Sequence, residues 1–294
     1  MSSSAATTPE GPGSASGAPN LPAGFTDMFT SRYVETGELR QHVVTGGDGP
    51  PLLLVHGWPQ TWYAWRLIMP ELARDFSVVA PDRRGTGLSG KPKDGQGTGM
   101  WIGYALAADH PDRLDRLAVA EAAMPGVSPS PPLFGGTQAN DRLWHFAFNR
   151  LAEVNEQLVT GREHVYFGFQ FAKAANKLPA DVVGYYVEAL AADPEALRGS
   201  FAAYRALDAT IAQNEQRKTR RLTLPVLAIG GAEGIGEGAA NTMKLAADDV
   251  QTVVITGCGH YCLEEAPQEM LAVSPVPAER FCCPMPQGLQ KGCS

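Results

Sequence analysis

The sequence lacks the features that would place this protein in a membrane or on nucleic acid. It has no apolar run near the roughly 20 residues that a transmembrane helix needs. Its formal net charge of −7 argues against nucleic acid and anionic membrane surfaces as partners. Residues 1–24 contain no secretory signal and are rich in Ser, Ala, Thr, Gly and Pro, which predicts a disordered tail. We therefore expect a cytoplasmic location.

Regularly spaced cysteines are also missing. The number of cysteines is odd and their spacing gives no disulfide framework; the five are Cys258, Cys262, Cys282, Cys283 and Cys293. The segment from Cys258 to Cys262 contains a histidine but has no second pair of ligands elsewhere. We therefore expect neither a metal site nor a cofactor.

The apolar residues that are present predict an α/β fold. A length of 294 residues with 44% hydrophobic content fits one large domain, or a core domain with an inserted cap. The continuous apolar run over 51–56 predicts a parallel strand buried on both faces. Further strands are predicted over 76–80, 114–120, 222–229 and 249–255. A hairpin is predicted over 30–45, and helices over 61–74 and 100–110 and from 264 to 271. Alternating strands and helices indicate a mostly parallel sheet with crossover helices.

The pattern also divides the chain into regions. Residues 126–221 begin with a Pro- and Gly-rich linker and then lack strand alternation, which predicts a helical cap. The core would then consist of residues 25–125 and 222–271. Residues 272–294 contain four prolines and no helical period, so they are predicted to form an irregular tail.

Two segments carry candidate chemistry at strand ends. His56-Gly57-Trp58-Pro59 follows the strand over 51–56, where backbone N–H groups can form half of an oxyanion or leaving-group site.

His260 follows the strand over 249–255 in a Gly-rich turn at the sheet edge where α/β active sites form, and we favour it as the catalytic base over a histidine satisfied within its loop. Glu121, after the strand over 114–120, could orient the ring of His260, or could be an ordinary solvated glutamate. Glu233 and Glu237 are competing candidates for the orienting acid.

Several of these motifs together resemble a known family. The His56 loop and the Gln60-Thr61-Trp62-Tyr63-Ala64-Trp65-Arg66 segment after it are similar to the first loop of epoxide hydrolases and related dehalogenases. Residues 25–95 and 96–271 resemble the two parts of an epoxide hydrolase with the α/β-hydrolase fold. The second part most resembles a bacterial branch with a Glu acid and a His/Tyr pair in its cap, and the cap motifs are Leu143-Trp144-His145-Phe146 and Phe201-Ala202-Ala203-Tyr204-Arg205.

The resemblance implies a function for the two cap residues. His145 and Tyr204 would donate hydrogen bonds to the epoxide oxygen and stabilise the alkoxide that forms on ring opening. Alternatively, His145 is a core histidine between its aromatic neighbours, and Tyr204 is an aromatic residue that packs the cap. In the family, an Asp attacks the epoxide carbon and a His–acid pair activates the water that hydrolyses the resulting ester.

The segment that should carry this nucleophile is missing. Aligning the helix that follows places Gly97 at the nucleophile position, and residues 95–99 contain no carboxylate. The fifteen residues 83–97 are too few for a turn, a crossover helix and a strand, since a parallel crossover alone takes about a dozen. We therefore predict that the crossover helix and the central strand are deleted. Asp94 could act as a displaced nucleophile, but its loop has no strained turn to present it, so the nucleophile stays unassigned.

Three functional hypotheses follow. The first is a hydrolase related to epoxide hydrolases, impaired by loss of its nucleophile, whose substrate would be a small apolar epoxide. The second is an enzyme like the haloalkane or haloacid dehalogenases, which Trp58 keeps open because tryptophan N–H groups hold halides. The third is a non-catalytic protein that binds small molecules in the cap pocket. The sequence gives no oligomeric state.

Overall fold

The computed structural model describes residues 8–37, 39–92, 99–130, 136–274 and 289–291. These residues form two four-stranded sheets with the orders β1-β2-β4-β3 and β5-β6-β7-β8. The strands are β1 Phe29–Glu35, β2 Arg40–Gly46, β3 Pro51–Leu53, β4 Ser77–Pro81, β5 Leu117–Ala120, β6 Val226–Gly231, β7 Val250–Ile255 and β8 Leu289–Lys291.

Each sheet contains the parallel pairs that the apolar runs predict. In the first sheet, β1 and β2 form the expected antiparallel hairpin, β2 pairs antiparallel with β4, and β3 pairs parallel with β4. In the second sheet, β5, β6 and β7 are parallel, and β8 pairs antiparallel with β7. The predicted α/β class is therefore confirmed.

No described strand pairs with both β3 and β5, so the described strands form two separate sheets. Residues 82–92, which follow β4, form turns and irregular structure without a helix or strand. Residues 93–98 lie outside the described residues, and they include Asp94 and Gly97. The predicted deletion of the crossover helix and central strand therefore stays a prediction.

Helices connect the strands, and α4–α9 all lie in the part of the chain between β5 and β6. They are α1 Phe25–Met28, α2 Met69–Leu72, α3 Gly99–Asp109, α4 Thr137–Asn149, α5 Val154–Val159, α6 Glu163–Phe171, α7 Ala180–Ala191, α8 Pro194–Arg205, α9 Leu207–Arg217, α10 Gly238–Met243, α11 Cys262–Glu265 and α12 Pro267–Val273. Short 3₁₀ helices cover Trp62–Trp65 and Pro111–Arg113. Over the described residues searched, no helix is both long and apolar enough to cross a membrane.

One predicted helix is split in two. Instead of a continuous helix over 61–74, the chain forms the 3₁₀ turn Trp62–Trp65 and then α2. Pro70 lies in the first turn of α2, where its missing N–H is tolerated, but it would break a helix that continued through it. The proline therefore explains why the predicted helix over 61–74 is not continuous.

The helices α4–α8 pack on the first sheet through a shared core. Phe167 of α6, Tyr186 of α7 and Phe201 of α8 are fully buried in one cluster with Trp62 and residues of the first sheet. A second cluster surrounds β5 and β6 and includes Trp101 and Tyr104 of α3. The helical region between β5 and β6 therefore packs mainly with the first sheet.

The amino-terminal segment lies against this core instead of forming the disordered tail that its composition predicts. From residue 8 on it is described, and residues 1–7 lie outside the described residues. Trp62 Nε1 donates to the Gly13 carbonyl at 2.7 Å, and the Tyr63 hydroxyl donates to the Pro19 carbonyl at 2.8 Å. Backbone carbonyls thus satisfy the polar atoms of two buried aromatic residues, a role that side-chain composition does not reveal.

The carboxyl-terminal region is described only in part. The last core helix, α12, ends at Val273, and β8 lies within the region 272–294 that the sequence predicts to be irregular. The residues between Ser274 and β8 lie outside the described residues.

Candidate active site

The ends of two parallel strands bring together the predicted base and one predicted acid. Glu121 directly follows β5, and His260 lies in the loop after β7. His260 Nδ1 lies 3.0 Å from Glu121 Oε2, although 139 residues separate the two along the chain. The carboxyl ends of parallel strands meet at one edge of a sheet, which explains this proximity.

Glu121 is held rigidly by backbone donors. The Gly231 N–H donates to Glu121 Oε1 at 2.6 Å, and the Ile235 N–H donates to the same oxygen at 3.1 Å. The residue is 7% exposed and has a positive φ of 54°. A Cβ at Gly234 would lie 2.4 Å from Glu121 Oε2, so only glycine fits beside the carboxylate. These contacts compensate the buried negative charge and fix its direction.

The two competing acids are not used in this way. Glu233 and Glu237 lie in the loop after β6 and are exposed to solvent. Glu121, the buried carboxylate, is the one in contact with His260. The structure therefore distinguishes between three candidates that the sequence left open.

The contact with Glu121 determines which nitrogen of His260 can act as a base. A carboxylate accepts hydrogen bonds, so the neutral imidazole carries its proton on Nδ1 and leaves a lone pair on Nε2. The His260 side chain is 40% exposed, so a small molecule or water can reach it. A Cβ at Gly259 would lie 2.3 Å from the Ala175 nitrogen, so glycine lets the loop pass beneath the helical region.

His56 has a structural position instead. It is fully buried, and burial, followed by the charge of Arg83, lowers its pKa to about 3. Its Nδ1 lies 2.8 Å from the Gly57 carbonyl, and its Nε2 accepts from the Arg83 backbone N–H at 3.3 Å. A neutral ring with a proton on Nδ1 satisfies both contacts. The side chain of His56 thus orders the loop, and the Trp58–Pro59 peptide bond in that loop is cis.

Trp58 connects this loop to the two predicted cap residues. Its ring stacks on His145 with a centroid distance of 5.3 Å and an interplanar angle of 4°. Tyr204 meets the same indole edge-on at 5.1 Å. The indole N–H donates to Ser200 Oγ at 2.6 Å, so it already has a partner within the protein.

His145 and Tyr204 lie close together in the structure. Their ring centroids are 5.7 Å apart and nearly perpendicular. Burial is the main cause that raises the pKa of Tyr204 well above 10, so its hydroxyl keeps its proton. Burial, the charge of Lys173 and the proximity of His260 lower the pKa of His145 to about 3. Both side chains are therefore neutral hydrogen-bond donors or acceptors near pH 7.

Sequence reasoning missed three residues around this pair. Lys173 Nζ lies 3.1 Å from His145 Nδ1, Ser200 accepts from Trp58, and Arg83 contacts the His56 loop. Lys173 follows α6 and Ser200 lies in α8, and no motif links either residue to its partner. Only Arg83 could have been found from the sequence, since it lies in the polar segment that follows the strand over 76–80.

Metal ligands are not clustered in the described part of the chain. Among the described residues searched, no group of three His, Cys, Asp or Glu side chains could hold a metal ion. Cys258 and Cys262, on either side of His260, are buried free thiols. The other three cysteines lie outside the described residues.

Comparison with known proteins gives this geometry a family context. Residues 50–101 match the family model described as alpha/beta hydrolase fold. A soluble epoxide hydrolase of Corynebacterium sp. (strain C12) is 28% identical over 263 residues, covering 78% of this chain and 90% of that protein. A fluoroacetate dehalogenase of Burkholderia sp. is 27% identical over 252 residues, covering 70% of this chain and 79% of that protein.

A solved structure agrees in both fold and sequence. The crystal structure of wild-type Cfl2 from Burkholderia cenocepacia superposes with a TM-score of 0.79 at 32% identity, covering 87% of this chain and 96% of that one. The chain has the α/β-hydrolase fold and is related to the epoxide hydrolases.

Proposed function

We propose that this protein binds small apolar epoxides beneath its helical cap, residues 126–221, and hydrolyses them weakly or not at all. The observation that carries the proposal is the His260–Glu121 contact at 3.0 Å, together with the paired His145 and Tyr204. The first pair has the geometry for activating water, and the second pair offers two neutral polar groups to an epoxide oxygen. A hydrolase related to epoxide hydrolases is the broader class to which the chain belongs.

The weak turnover follows from the sequence between β4 and α3. The family attacks the epoxide with an Asp, and the aligned position here is Gly97, which has no side chain. The separation of β3 from β5 among the described strands supports a lost central strand. Loss of a nucleophile in a related covalent mechanism lowers kcat on the order of 10⁶-fold, and we expect a comparable loss here.

The direct test is steady-state hydrolysis of styrene oxide, with diol formation measured at pH 7. We expect turnover close to the uncatalysed rate, while styrene oxide still binds in isothermal titration. Rapid turnover that disappears in His260→Ala would overturn the impaired function. Failure of styrene oxide and other aryl epoxides to bind would overturn the epoxide site itself.

A gain-of-function experiment addresses the missing segment. Replacing residues 93–98 with a crossover helix, a strand and a Gly-His-Asp-x-Gly elbow should restore epoxide turnover. The matched control has the same insertion with Asn in place of the new Asp, and it should stay inactive. Equal activity of the two insertions would show that the carboxylate is not what the chain lacks.

The dehalogenase alternative rests on Trp58 and on the similarity to a fluoroacetate dehalogenase. A halide would need the indole N–H as a donor, but this N–H is already bonded to Ser200 Oγ at 2.6 Å. Fluoride release from fluoroacetate, measured with an ion-selective electrode, distinguishes the two functions. We expect no release, including from the restored chain, and release without epoxide turnover would favour the dehalogenase.

A further inference from the structure

Lys173 makes three polar contacts that use all the donors of its ammonium group. Its Nζ donates to the Arg142 carbonyl at 3.0 Å and to Gln170 Oε1 at 2.5 Å. The third contact is with His145 Nδ1 at 3.1 Å. An ammonium group has three N–H donors and no acceptor, so His145 Nδ1 must be the acceptor in this contact.

This contact determines where His145 carries its proton. A neutral imidazole has one N–H, so a ring that accepts at Nδ1 donates from Nε2. Within the described part of the chain, His145 Nε2 has no hydrogen-bond partner, whereas Nδ1 is occupied by Lys173. The ring is held flat against Trp58 and edge-on to Tyr204, so its free nitrogen has a fixed direction.

A competing tautomer is available to the same ring. The Arg142 carbonyl, one turn earlier on α4, also lies within reach of His145 and could accept a proton from Nδ1. In the structure that carbonyl also accepts from Lys173 Nζ at 3.0 Å. Lys173 therefore competes with His145 for this carbonyl and at the same time donates to the Nδ1 lone pair.

We propose that Lys173 is a positioning residue that fixes His145 in the Nε2–H tautomer, so that the cap offers this N–H to an oxygen acceptor on the bound ligand. The proposal deepens the proposed function and rests on it for the identity of the ligand. The role of Lys173 itself concerns the free protein and can be tested without any ligand. Burial, which also lowers the pKa of His145 to about 3, keeps the ring neutral at pH 7 and thus allows a single tautomer.

The tautomer can be measured in the full chain by NMR. Long-range ¹H–¹⁵N correlation spectra of ¹⁵N-labelled protein at pH 7 distinguish a protonated ring nitrogen from an unprotonated one. The signals of His145 are assigned by their loss in His145→Gln. We expect Nε2 protonated and Nδ1 unprotonated in the natural sequence, and a shift towards Nδ1–H in Lys173→Met, which has no donor.

Lys173→Arg is the matched control because it keeps the charge and the donors, and it should keep the Nε2–H tautomer. Finding Nδ1–H in the natural sequence, or an unchanged tautomer in Lys173→Met, would overturn the proposal. Should Lys173→Met fail to fold, the natural sequence and Lys173→Arg still decide the question, since Nδ1–H in the natural sequence contradicts it.

A ligand experiment separates this proposal from the proposed function. The probe is 2-phenylacetamide, whose carbonyl accepts a hydrogen bond, and propylbenzene is the apolar control. We expect Lys173→Met to weaken binding of the amide about tenfold, the equivalent of one hydrogen bond, and to leave propylbenzene unchanged. If neither probe binds the natural sequence, the epoxide site is wrong while the NMR result still stands. Equal weakening of both probes would mean that Lys173 only packs the cap, and would overturn its positioning role.

Discussion

Arg66 and Glu264 form an ion pair that is almost completely buried, with 2.7 Å between Arg66 Nη1 and Glu264 Oε1 and side chains 3% and 2% exposed. The Tyr186 hydroxyl donates to the same carboxylate oxygen at 2.7 Å. The three residues belong to the segment after the first 3₁₀ turn, to α11 and to α7. One carboxylate therefore joins the loop after β3, the short helix α11 and the helix α7.

Breaking this ion pair should destabilise the protein strongly. We expect Arg66→Met to lower the free energy of unfolding by about 3–5 kcal/mol, because it leaves the Glu264 charge buried without its partner. The double variant Arg66→Met, Glu264→Leu should recover much of that loss, since it removes both charges. Urea unfolding followed by circular dichroism measures both, and a double variant as unstable as the single one would contradict the explanation.

Removing the charge of Glu121 should also reduce stability. Glu121→Gln keeps the size of the side chain but replaces one acceptor oxygen with an NH₂ donor. In either orientation of the amide, this donor faces another N–H group, from Gly231 and Ile235 or from His260. We expect a loss of about 1–3 kcal/mol in urea unfolding. Glu237→Gln is the matched control, because Glu237 is exposed, and it should change stability by less than about 0.5 kcal/mol. A similar effect of the two variants would argue against a special environment at Glu121.

Stability should fall as the pH falls below 6.5. The pKa of His56 and of His145 is lowered from 6.5 to about 3 in the folded protein, chiefly by burial. The unfolded chain therefore binds more protons between these values, so stability present above pH 6.5 is lost progressively towards pH 3. Urea midpoints measured from pH 7.5 to 4.5 should decline, with an unchanged profile in His164→Gln, whose histidine is exposed. A flat profile would show that neither histidine stays neutral.

The amino-terminal segment should contribute to stability. Deleting residues 1–24 removes the carbonyls that accept from Trp62 and Tyr63, and exposes the rings beneath. We expect a loss on the order of 2 kcal/mol from the two hydrogen bonds and a lower thermal midpoint. Deleting residues 1–7 alone is the control and should have little effect. Equal midpoints for the two deletions would support the disordered tail that composition predicts.

The sequence predicted the parts of the site that depend on strand ends. His260 and Glu121 each follow an apolar run, and parallel strands place such residues at one edge, so their proximity could be expected. The sequence could not predict which of the three candidate acids contacts His260. That choice depends on the turn in which the N–H groups of Gly231 and Ile235 point at the Glu121 carboxylate.

By itself, the sequence determined the α/β class, the relationship to epoxide hydrolases and the small number of residues between Asp82 and Thr98, because these follow from hydrophobic period, motif and chain length. Tertiary structure alone decided that His56 is sealed inside its loop and that Ser200 occupies the indole N–H of Trp58. It also placed Lys173 against His145. Such contacts join residues from different elements, and their burial and hydrogen bonds exist only once the helices pack on the sheet.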